Sequence, residues 1–311
     1  MQQDIITLRG TVPGTTHQLR VLRFGTPGRG PKATVQAALH ADEIPPLLVA
    51  QALKQRLQAL ERDGQILGEV QLVPFANPVG LSQDLLGTPM GRFDLRDGVN
   101  FNRLHPDLAD TVDRAVGAQL GTDGAANVQR IRTALREAVQ ALQPRSPVDD
   151  LKKQLVALAI DSDIVLDLHC DAQASMHLYA LTPQVELAEE LGALLGAEAV
   201  LLATESGDSP FDEACTRPWL LLQERHPQAD VPLACFGATV ELRGEADTSH
   251  LLAGQDADAI VEFLRRRGVV AGPAAPLPEP RCAPTPLSGS EPITAPAAGV
   301  VVFHREPGAW V

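Results

Sequence analysis

The stretch Ala33–Leu53, ATVQAALHADEIPPLLVAQAL, holds the pattern that decides the fold. Ala33–Leu39 is a short apolar run with β-branched residues, which is typical of a buried strand. A Pro-Pro pair follows, where the first turn of a helix tolerates proline because the missing N–H would be unpaired there. Leu47–Leu60 then has helical periodicity. The stretch predicts a strand followed by a helix, with His40 and Glu43 at the junction.

Strand and helix patterns alternate along the chain from this point to residue 271. The predicted strands are Glu69–Phe75, Asp163–Leu168, Met176–Leu181, Ala199–Ala203 and Leu233–Leu242, and the predicted helices are Val128–Leu142, Val148–Ile160, Glu186–Leu195, Glu213–Glu224 and Asp256–Arg267. Residues 80–110 lack a clear period and are predicted to be a long loop, which in a compact domain is usually functional or disordered. Such alternation predicts an α/β domain over residues 1–271, with a mixed, mostly parallel sheet flanked by helices.

The composition changes after residue 271. Prolines recur every few residues between Gly272 and Ala298, which is typical of an extended linker. Gly299–Phe303, a Pro-Gly pair and Val311 then look like the opening of a strand-turn-strand unit. We therefore expect residues 272–311 to be a Pro-rich linker and the start of a small C-terminal β domain, whose completeness stays open.

Charge and composition exclude several classes of protein. The 311-residue chain has a formal net charge of −13, and such a surface repels nucleic-acid phosphates and anionic lipids. No apolar run approaches the roughly 20 residues of a membrane helix, and the N-terminus lacks the pattern of a signal peptide. Four cysteines stand far apart and are predicted to be reduced thiols. We expect a cytoplasmic protein that binds neither nucleic acid nor membrane.

His40 and Glu43 are candidate metal ligands, because a His and a Glu three residues apart can face one ion together. Catalytic zinc sites commonly take three protein ligands and leave a fourth position for water. His169 ends a predicted buried strand and can supply the third ligand. Asp167 can orient one of the ligands without binding the metal itself. Ligands bind beyond the carboxyl ends of strands in open α/β sheets, where both histidines fall. The H-x-x-E pattern alone arises often by chance, and an ordinary loop histidine is the alternative for His40.

Further residues follow in a characteristic order. They are Asn77-Pro78, Arg92, Asp97-Gly98, Asn100-Phe101-Asn102-Arg103, Asp167-Leu168-His169 and Thr239-Val240-Glu241. With the H-x-x-E pair, the set resembles the succinylglutamate desuccinylase/aspartoacylase family, relatives of the zinc carboxypeptidases, over residues 33–245. The resemblance implies the zinc carboxypeptidase-like form of the α/β fold.

The resemblance also implies roles for individual residues. It makes His40, Glu43 and His169 the ligands of one Zn²⁺ per chain, Glu241 the general base, Arg92 the group that polarises the scissile carbonyl, and Asn102 and Arg103 the pair that grips a substrate carboxylate, with Arg217 as a further candidate. The residue types suit this chemistry. Zinc lowers the pKa of bound water, a carboxylate accepts its proton, and a guanidinium matches a carboxylate with two parallel hydrogen bonds.

Several positions depart from the family pattern. The related peptidases use a tyrosine over the substrate, and here the single tyrosine, Tyr179, lies inside a predicted strand, where we expect a structural role. Ala41 replaces a usual glycine, and His105 stands in the loop after Arg103, where we expect a solvated histidine. These departures disfavour peptidase activity and leave the exact substrate open.

The sequence therefore predicts a metal-dependent hydrolase of C–N amide bonds other than peptide bonds, a deacylase of N-acyl amino acids. Two alternatives are a carboxypeptidase-type metallopeptidase and a non-catalytic metal-binding module. The expected partner is a small carboxylate-bearing substrate, and a homo-oligomer stays open. Since the chain is acidic, an anionic substrate requires a locally basic pocket, which we expect from Arg92, Arg96 and Arg103.

Overall fold

A computed structural model describes residues 1–10 and 13–309 of the chain. The strands are β1 (Gln2–Thr7), β2 (Gln18–Gly25), β3 (Lys32–Ala37), β4 (Glu69–Val73), β5 (Asp84–Leu85), β6 (Thr88–Pro89), β7 (Ile164–Asp171), β8 (His177–Leu181), β9 (Ala199–Ala203), β10 (Phe236–Gly244) and β11 (Thr285–Pro286). The α-helices are α1 (Pro45–Arg62), α2 (Ala109–Val116), α3 (Gly124–Ala141), α4 (Pro147–Ala159), α5 (Val185–Leu195), α6 (Phe211–Arg225) and α7 (His250–Arg266).

One mixed sheet organises the molecule, with strand order β1-β2-β4-β3-β7-β10-β8-β9-β11. The central strands β4, β3, β7 and β10 run parallel to one another, whereas β2 and β8 pair antiparallel with β4 and β10. The short strands β5 and β6 form a separate hairpin. Because β3, β7 and β10 are parallel, their carboxyl ends meet at one edge of the sheet, where ligands bind in folds of this kind.

Helices cover both faces of the sheet, as the buried strands require. Val49 of α1, Leu191 of α5 and Ile260 of α7 belong to one buried apolar cluster. Ile131 of α3 and Trp219 of α6 belong to a second cluster on the other face. The residues of β4 are all buried, and those of β3 and β7 nearly all. The predicted α/β class with a mixed, mostly parallel sheet between helices is confirmed.

The structure adds elements that the sequence patterns do not predict. Strands β1 and β2 form an antiparallel extension at one end of the sheet, and their apolar residues alternate with polar ones too irregularly to stand out. Helix α2 begins where the predicted loop ends. Helix α7 starts six residues before the predicted Asp256, because the side chain of Ser249 accepts hydrogen bonds from the backbone N–H groups of Leu251 and Leu252 and caps the helix there.

The segment after residue 271 runs along the sheet edge. Thr285 and Pro286 pair in parallel with Leu201 and Leu202 of β9, so this part of the proline-rich segment joins the main sheet. Over residues 290–309 the described backbone contains neither helix nor strand. Val311, which belongs to the expected β domain, lies outside the described residues. The division of the chain at residue 272 stays a prediction.

Among residues 1–10 and 13–309, no helix combines the length and the apolarity that a passage through a bilayer needs.

Candidate active site

The loop after β3 and the neighbouring strand β7 bring His40, Glu43 and His169 together. The chain leaves β3 through Ala38, whose φ of 62° lies in the left-handed region that residues with a side chain adopt only at a cost. Glu43 lies two residues before helix α1, and His169 lies within β7, which pairs with β3. All three side chains are buried. The parallel pairing of two strands therefore places residues far apart in the chain at one point of the sheet edge.

Glu43 lies between the two imidazole rings. Its Oε1 is 2.8 Å from Nδ1 of His40, and its Oε2 is 2.9 Å from Nδ1 of His169. The ligand atoms of the three residues all lie within 4.8 Å of one another. Two histidines and one glutamate are a donor set found in catalytic zinc sites, with a further position left for water or substrate. The group can therefore hold a metal ion.

The outer nitrogens of both rings provide a test of this fit. Nε2 of His40 is 2.8 Å from Oδ1 of Asn100, and Nε2 of His169 is 2.9 Å from Oδ2 of Asp167. Gln36 in turn donates a hydrogen bond to Oδ1 of Asp167. Oxygen acceptors at Nε2 keep the proton on that nitrogen and leave the Nδ1 lone pair for a metal. The predicted orienting role of Asp167 therefore agrees with its position behind His169.

Burial and the charges of neighbouring groups shift the pKa values of the three residues. Burial lowers the pKa of His40. Burial opposes ionisation of Glu43, but His169 and His40 outweigh it and hold the pKa of Glu43 well below its ordinary value. Burial likewise opposes a charged His169, yet the carboxylates of Asp167 and Glu43 raise its pKa well above the usual range. A metal ion at this point would displace the proton from His169, so its affinity falls as the pH falls.

Glu241 lies in β10 directly beside His169, its partner in the parallel register. It lines a cleft of about 320 Å³ that His40 and His169 also line. Burial raises the pKa of Glu241 to about 7, and the nearby Glu43 carboxylate adds to the rise while His169 opposes it. Within the described residues, its Oε2 atom is inaccessible and has no hydrogen-bond partner. A carboxylate with a pKa near neutrality suits the transfer of protons.

Three of the predicted substrate-contacting residues line the same cleft. Nη2 of Arg92 donates to Oε1 of Glu43 at 2.9 Å, so this guanidinium lies beside the candidate metal site. Nη1 of Arg103 donates to the backbone carbonyl of Asn102. Oδ1 of Asn102 accepts a hydrogen bond from the Phe211 N–H, and its Nδ2 lies 3.4 Å from Nε2 of His169. Asn102 thus joins the cleft to the start of α6 and lies against the candidate ligand histidine.

Six further residues line the cleft that sequence reasoning did not place there. They are Asp171, Tyr179, Ser206, Pro210, Asp212 and Leu287. Asp171 lies two residues after His169 in β7, so strand alternation carries it to the same face. Tyr179 pairs with Thr239, which also lines the cleft, and this placement corrects the expected purely structural role of Tyr179. Alternation in β7 is a sequence signal that identifies Asp171, whereas no local signal marks Asp212 or Leu287.

Two predicted arginines lie elsewhere. Arg217 lines a separate small pocket, where its Nη2 donates to Glu205 at 2.9 Å and its Nη1 lies 3.9 Å from Asp107. This placement argues against a role for Arg217 in the substrate cleft. Arg96 forms a two-pronged ion pair with the buried Asp94 and lines another pocket, so the expected basic pocket of three arginines contains only two.

His105 also differs from expectation. Instead of being solvated, it is 3% exposed and packs edge-on against Phe211, with 5.5 Å between the ring centroids. Burial lowers its pKa to about 3, so it is neutral. The backbone N–H of His105 donates to the Ser209 carbonyl, which joins the Arg103 loop to the loop before α6. His105 therefore stabilises the cleft wall from behind.

Comparisons with known proteins agree with this geometry. The family model of the succinylglutamate desuccinylase/aspartoacylase catalytic domain matches residues 29–144. A structure from Shewanella amazonensis SB2B, assigned to the same family, is 27% identical with a TM-score of 0.85, covering 99% of this chain and 84% of that one. A second, from Shewanella frigidimarina NCIMB 400, is 26% identical with a TM-score of 0.86, covering 99% of this chain and 82% of that one.

A more distant structure shares the fold. The succinylglutamate desuccinylase/aspartoacylase of Rhodobacter sphaeroides is 16% identical with a TM-score of 0.57, covering 88% of this chain and 67% of that one. No curated protein matches the chain. The matched segment contains His40, Glu43 and Arg103, and the two Shewanella structures extend the likeness over the rest of the cleft. The family model over residues 29–144 and the two Shewanella structures therefore confirm the predicted resemblance to the succinylglutamate desuccinylase/aspartoacylase family.

Proposed function

We propose that this protein is a zinc-dependent deacylase that hydrolyses the amide bond of an N-acyl amino acid or a similar small carboxylate-bearing substrate. One observation carries the proposal: the His40–Glu43–His169 cluster opens into the same cleft as the half-buried Glu241. Metal ligands without a base would suffice for a binding module, so the neighbouring Glu241 favours an enzyme. The match of residues 29–144 to the catalytic-domain model of the succinylglutamate desuccinylase/aspartoacylase family supports the same interpretation.

The chemistry follows from the positions of the side chains. Zinc bound by His40, Glu43 and His169 would supply a Lewis acid and lower the pKa of a water molecule there. Glu241 accepts the proton of the attacking water, because its pKa of about 7 makes it a base near neutrality. It then returns the proton to the leaving nitrogen, which departs as an amine.

The two arginines of the cleft take different roles in this proposal. Arg92 lies beside Glu43 and is placed to donate to the carbonyl oxygen of the scissile amide as negative charge develops on it. Arg103 contributes a guanidinium that can bind the substrate carboxylate with two hydrogen bonds. Asn102 accepts a hydrogen bond from the first residue of α6 and lies against His169, between the proposed metal site and the proposed carboxylate site.

A second candidate function is a carboxypeptidase-type metallopeptidase. The observation in its favour is Tyr179, which lines the cleft and removes the sequence argument that no tyrosine is available there. Blocked dipeptides separate the two functions. A deacylase hydrolyses N-acyl amino acids faster, whereas a peptidase prefers the dipeptides. We further propose a cytoplasmic protein acting on small molecules, in keeping with its acidic surface.

The test is a hydrolysis screen of N-acyl amino acids with the zinc-loaded protein and its Glu241→Gln variant, whose metal content is measured in parallel. We expect release of the free amino acid by the wild type. The variant should keep its metal but lose activity by about 10²–10⁴-fold, the usual contribution of a general base. If the metal-loaded wild type hydrolyses none of these amides, the deacylase proposal is wrong, and the alternative of a non-catalytic metal-binding module is favoured.

A further inference from the structure

The cleft offers one free guanidinium for a substrate carboxylate. Arg92 is engaged with Glu43, Arg96 with Asp94, and Arg217 with Glu205. Arg103 lines the cleft and, in the part of the chain that the structure describes, has no carboxylate oxygen within 4 Å of its guanidinium. A substrate with two or three carboxylates therefore finds a partner for one of them.

A second feature is a free carboxylate in the same cleft. Asp171 is exposed and lines the cleft, and it lies on the His169 face of β7. Its Oδ1 accepts a hydrogen bond from the Ala172 N–H at 3.0 Å. Among residues 1–10 and 13–309, no lysine, arginine or histidine nitrogen comes within 4 Å of it. An approaching anion is repelled by this carboxylate, and an approaching cation finds it unpaired.

Resting on the proposed function, we propose that the substrate is the N-acyl derivative of a basic amino acid. Its single carboxylate binds Arg103, and the cationic side chain is recognised by Asp171. Among the described residues, the cleft has an unpaired cation, Arg103, and an unpaired anion, Asp171. The charges of these two side chains complement the carboxylate and the cationic side chain of such a substrate, and this complementarity carries the proposal. N-acyl derivatives of acidic amino acids place a second negative charge against Asp171, and unpaired like charges are a strong source of discrimination.

The rest of the cleft agrees with this assignment. Asp212 and Glu241 also line it, so acidic side chains outnumber the two arginines. The net charge of −13 further concentrates cations rather than polyanions at the surface. Leu287 and the Tyr179 ring provide apolar surface against which the methylene stem of a long basic side chain can pack.

The test compares three substrates of equal chain length with the zinc-loaded, full-length protein: Nα-acetyl-L-ornithine, N-acetyl-L-norvaline and N-acetyl-L-glutamate. We expect kcat/KM for the ornithine derivative to exceed that for the glutamate derivative at least tenfold. Asp171→Asn should lower kcat/KM for the ornithine derivative about tenfold, the effect of one favourable charge pair, and leave the norvaline derivative within about twofold. Asp171→Glu should retain the preference.

Glu245→Gln is the matched control. Glu245 is exposed, and its backbone N–H donates to the Asp171 carbonyl, yet its side chain is not among those that line the cleft. An equal loss in both variants would assign the preference to the general acidic surface and overturn the role of Asp171. A glutamate derivative that reacts as fast as the ornithine derivative would overturn the proposed substrate class while leaving the deacylase intact.

Calorimetry provides a readout that needs no turnover. L-Ornithine and L-glutamate are titrated into the zinc-loaded wild type and the Asp171→Asn variant. We expect ornithine to bind at least tenfold more tightly than glutamate, and the variant to lose this difference. If no acetylated substrate is hydrolysed, the deacylase proposal fails, and the titrations still decide whether the cleft selects a basic amino acid. Equal binding of the two amino acids would overturn the inference.

Discussion

His169 and Glu241 are direct partners in the adjacent parallel strands β7 and β10. Because paired residues of neighbouring strands project to the same face of a sheet, the candidate metal ligand and the proposed base enter the cleft side by side. Their positions differ in what surrounds them: Asp167 and Glu43 contact the His169 ring, whereas Oε2 of Glu241 has no partner among the described residues. The predictions below follow from this arrangement and from the ion pairs around it.

Replacement of His169 by alanine should abolish metal binding. We expect about one zinc per chain in the wild type by elemental analysis and less than about a tenth of that in the variant, because two ligands without the third bind a catalytic zinc poorly. His226→Ala is the control, since His226 pairs with Asp113 away from the cleft. Equal zinc in both variants, or none in the wild type after zinc is offered, would falsify the metal site.

Glu241 should make the stability of the metal-free protein depend on pH. Burial raises its folded-state pKa from an ordinary 4.5 to about 7, so the folded protein binds this proton more tightly than the unfolded chain. The free energy of unfolding therefore falls as the pH rises from about 4.5 to 7. Above that range, ionisation of Glu241 lowers it by the full amount of roughly 3 kcal/mol.

Glu241→Gln removes this cost. We expect the variant to gain up to about 3 kcal/mol in free energy of unfolding near pH 8, and less than about 1 kcal/mol near pH 5. Urea unfolding at the two pH values with a chelator present measures both. The same gain at both pH values would show that an effect other than ionisation of the buried carboxyl is responsible.

Alanine substitutions of Arg103 and Arg217 should have different effects on kcat/KM. Arg103→Ala is expected to lower kcat/KM for an N-acyl amino acid by about 100-fold, the effect of losing a charge-assisted, two-pronged hydrogen bond. Arg217→Ala should change it less than about twofold, because Arg217 lies in a separate pocket against Glu205. A comparable loss from the Arg217 variant would place that side chain in the substrate site after all.

Arg243 should stabilise the end of β10 through its ion pair. It has a φ of 69° at the irregularity in strand pairing that follows Glu241, and its guanidinium contacts the buried Asp256 of α7. Arg243→Gly relieves backbone strain of about 1 kcal/mol but leaves an unpaired buried carboxylate, which costs about 3–5 kcal/mol. We expect a net loss of about 2–4 kcal/mol in the free energy of unfolding.

A second substitution isolates the charge. Asp256→Asn on top of Arg243→Gly removes the buried carboxylate and should restore most of the lost stability, as measured by urea unfolding of the single and double variants in a double-mutant cycle. Additive losses would indicate that the two residues act independently and that the ion pair does not hold this end of the strand.

The sequence alone predicts the α/β class from short-range patterns, and it predicts the candidate metal ligands from such patterns together with the family resemblance. His40 and Glu43 are three residues apart at a strand-to-helix junction, and His169 follows an apolar strand that is recognisable without any partner. Their convergence follows from the rule that parallel strands present their carboxyl ends at one edge of the sheet. Strands β1 and β2 and the start of α7 depend on pairing and capping, and the sequence patterns do not predict them.

The tertiary structure alone decided which charged side chains line the cleft. Arg96 and Arg217 look as available as Arg103 in the sequence, but each pairs with a carboxylate and lies outside the cleft. Asp171, Tyr179 and Leu287 enter the cleft from three separate parts of the chain. Local patterns carry information on backbone conformation and burial. The ion-pair partner of a long, flexible charged side chain is set by contacts between residues that are distant in the sequence, and these contacts exist only in the folded chain.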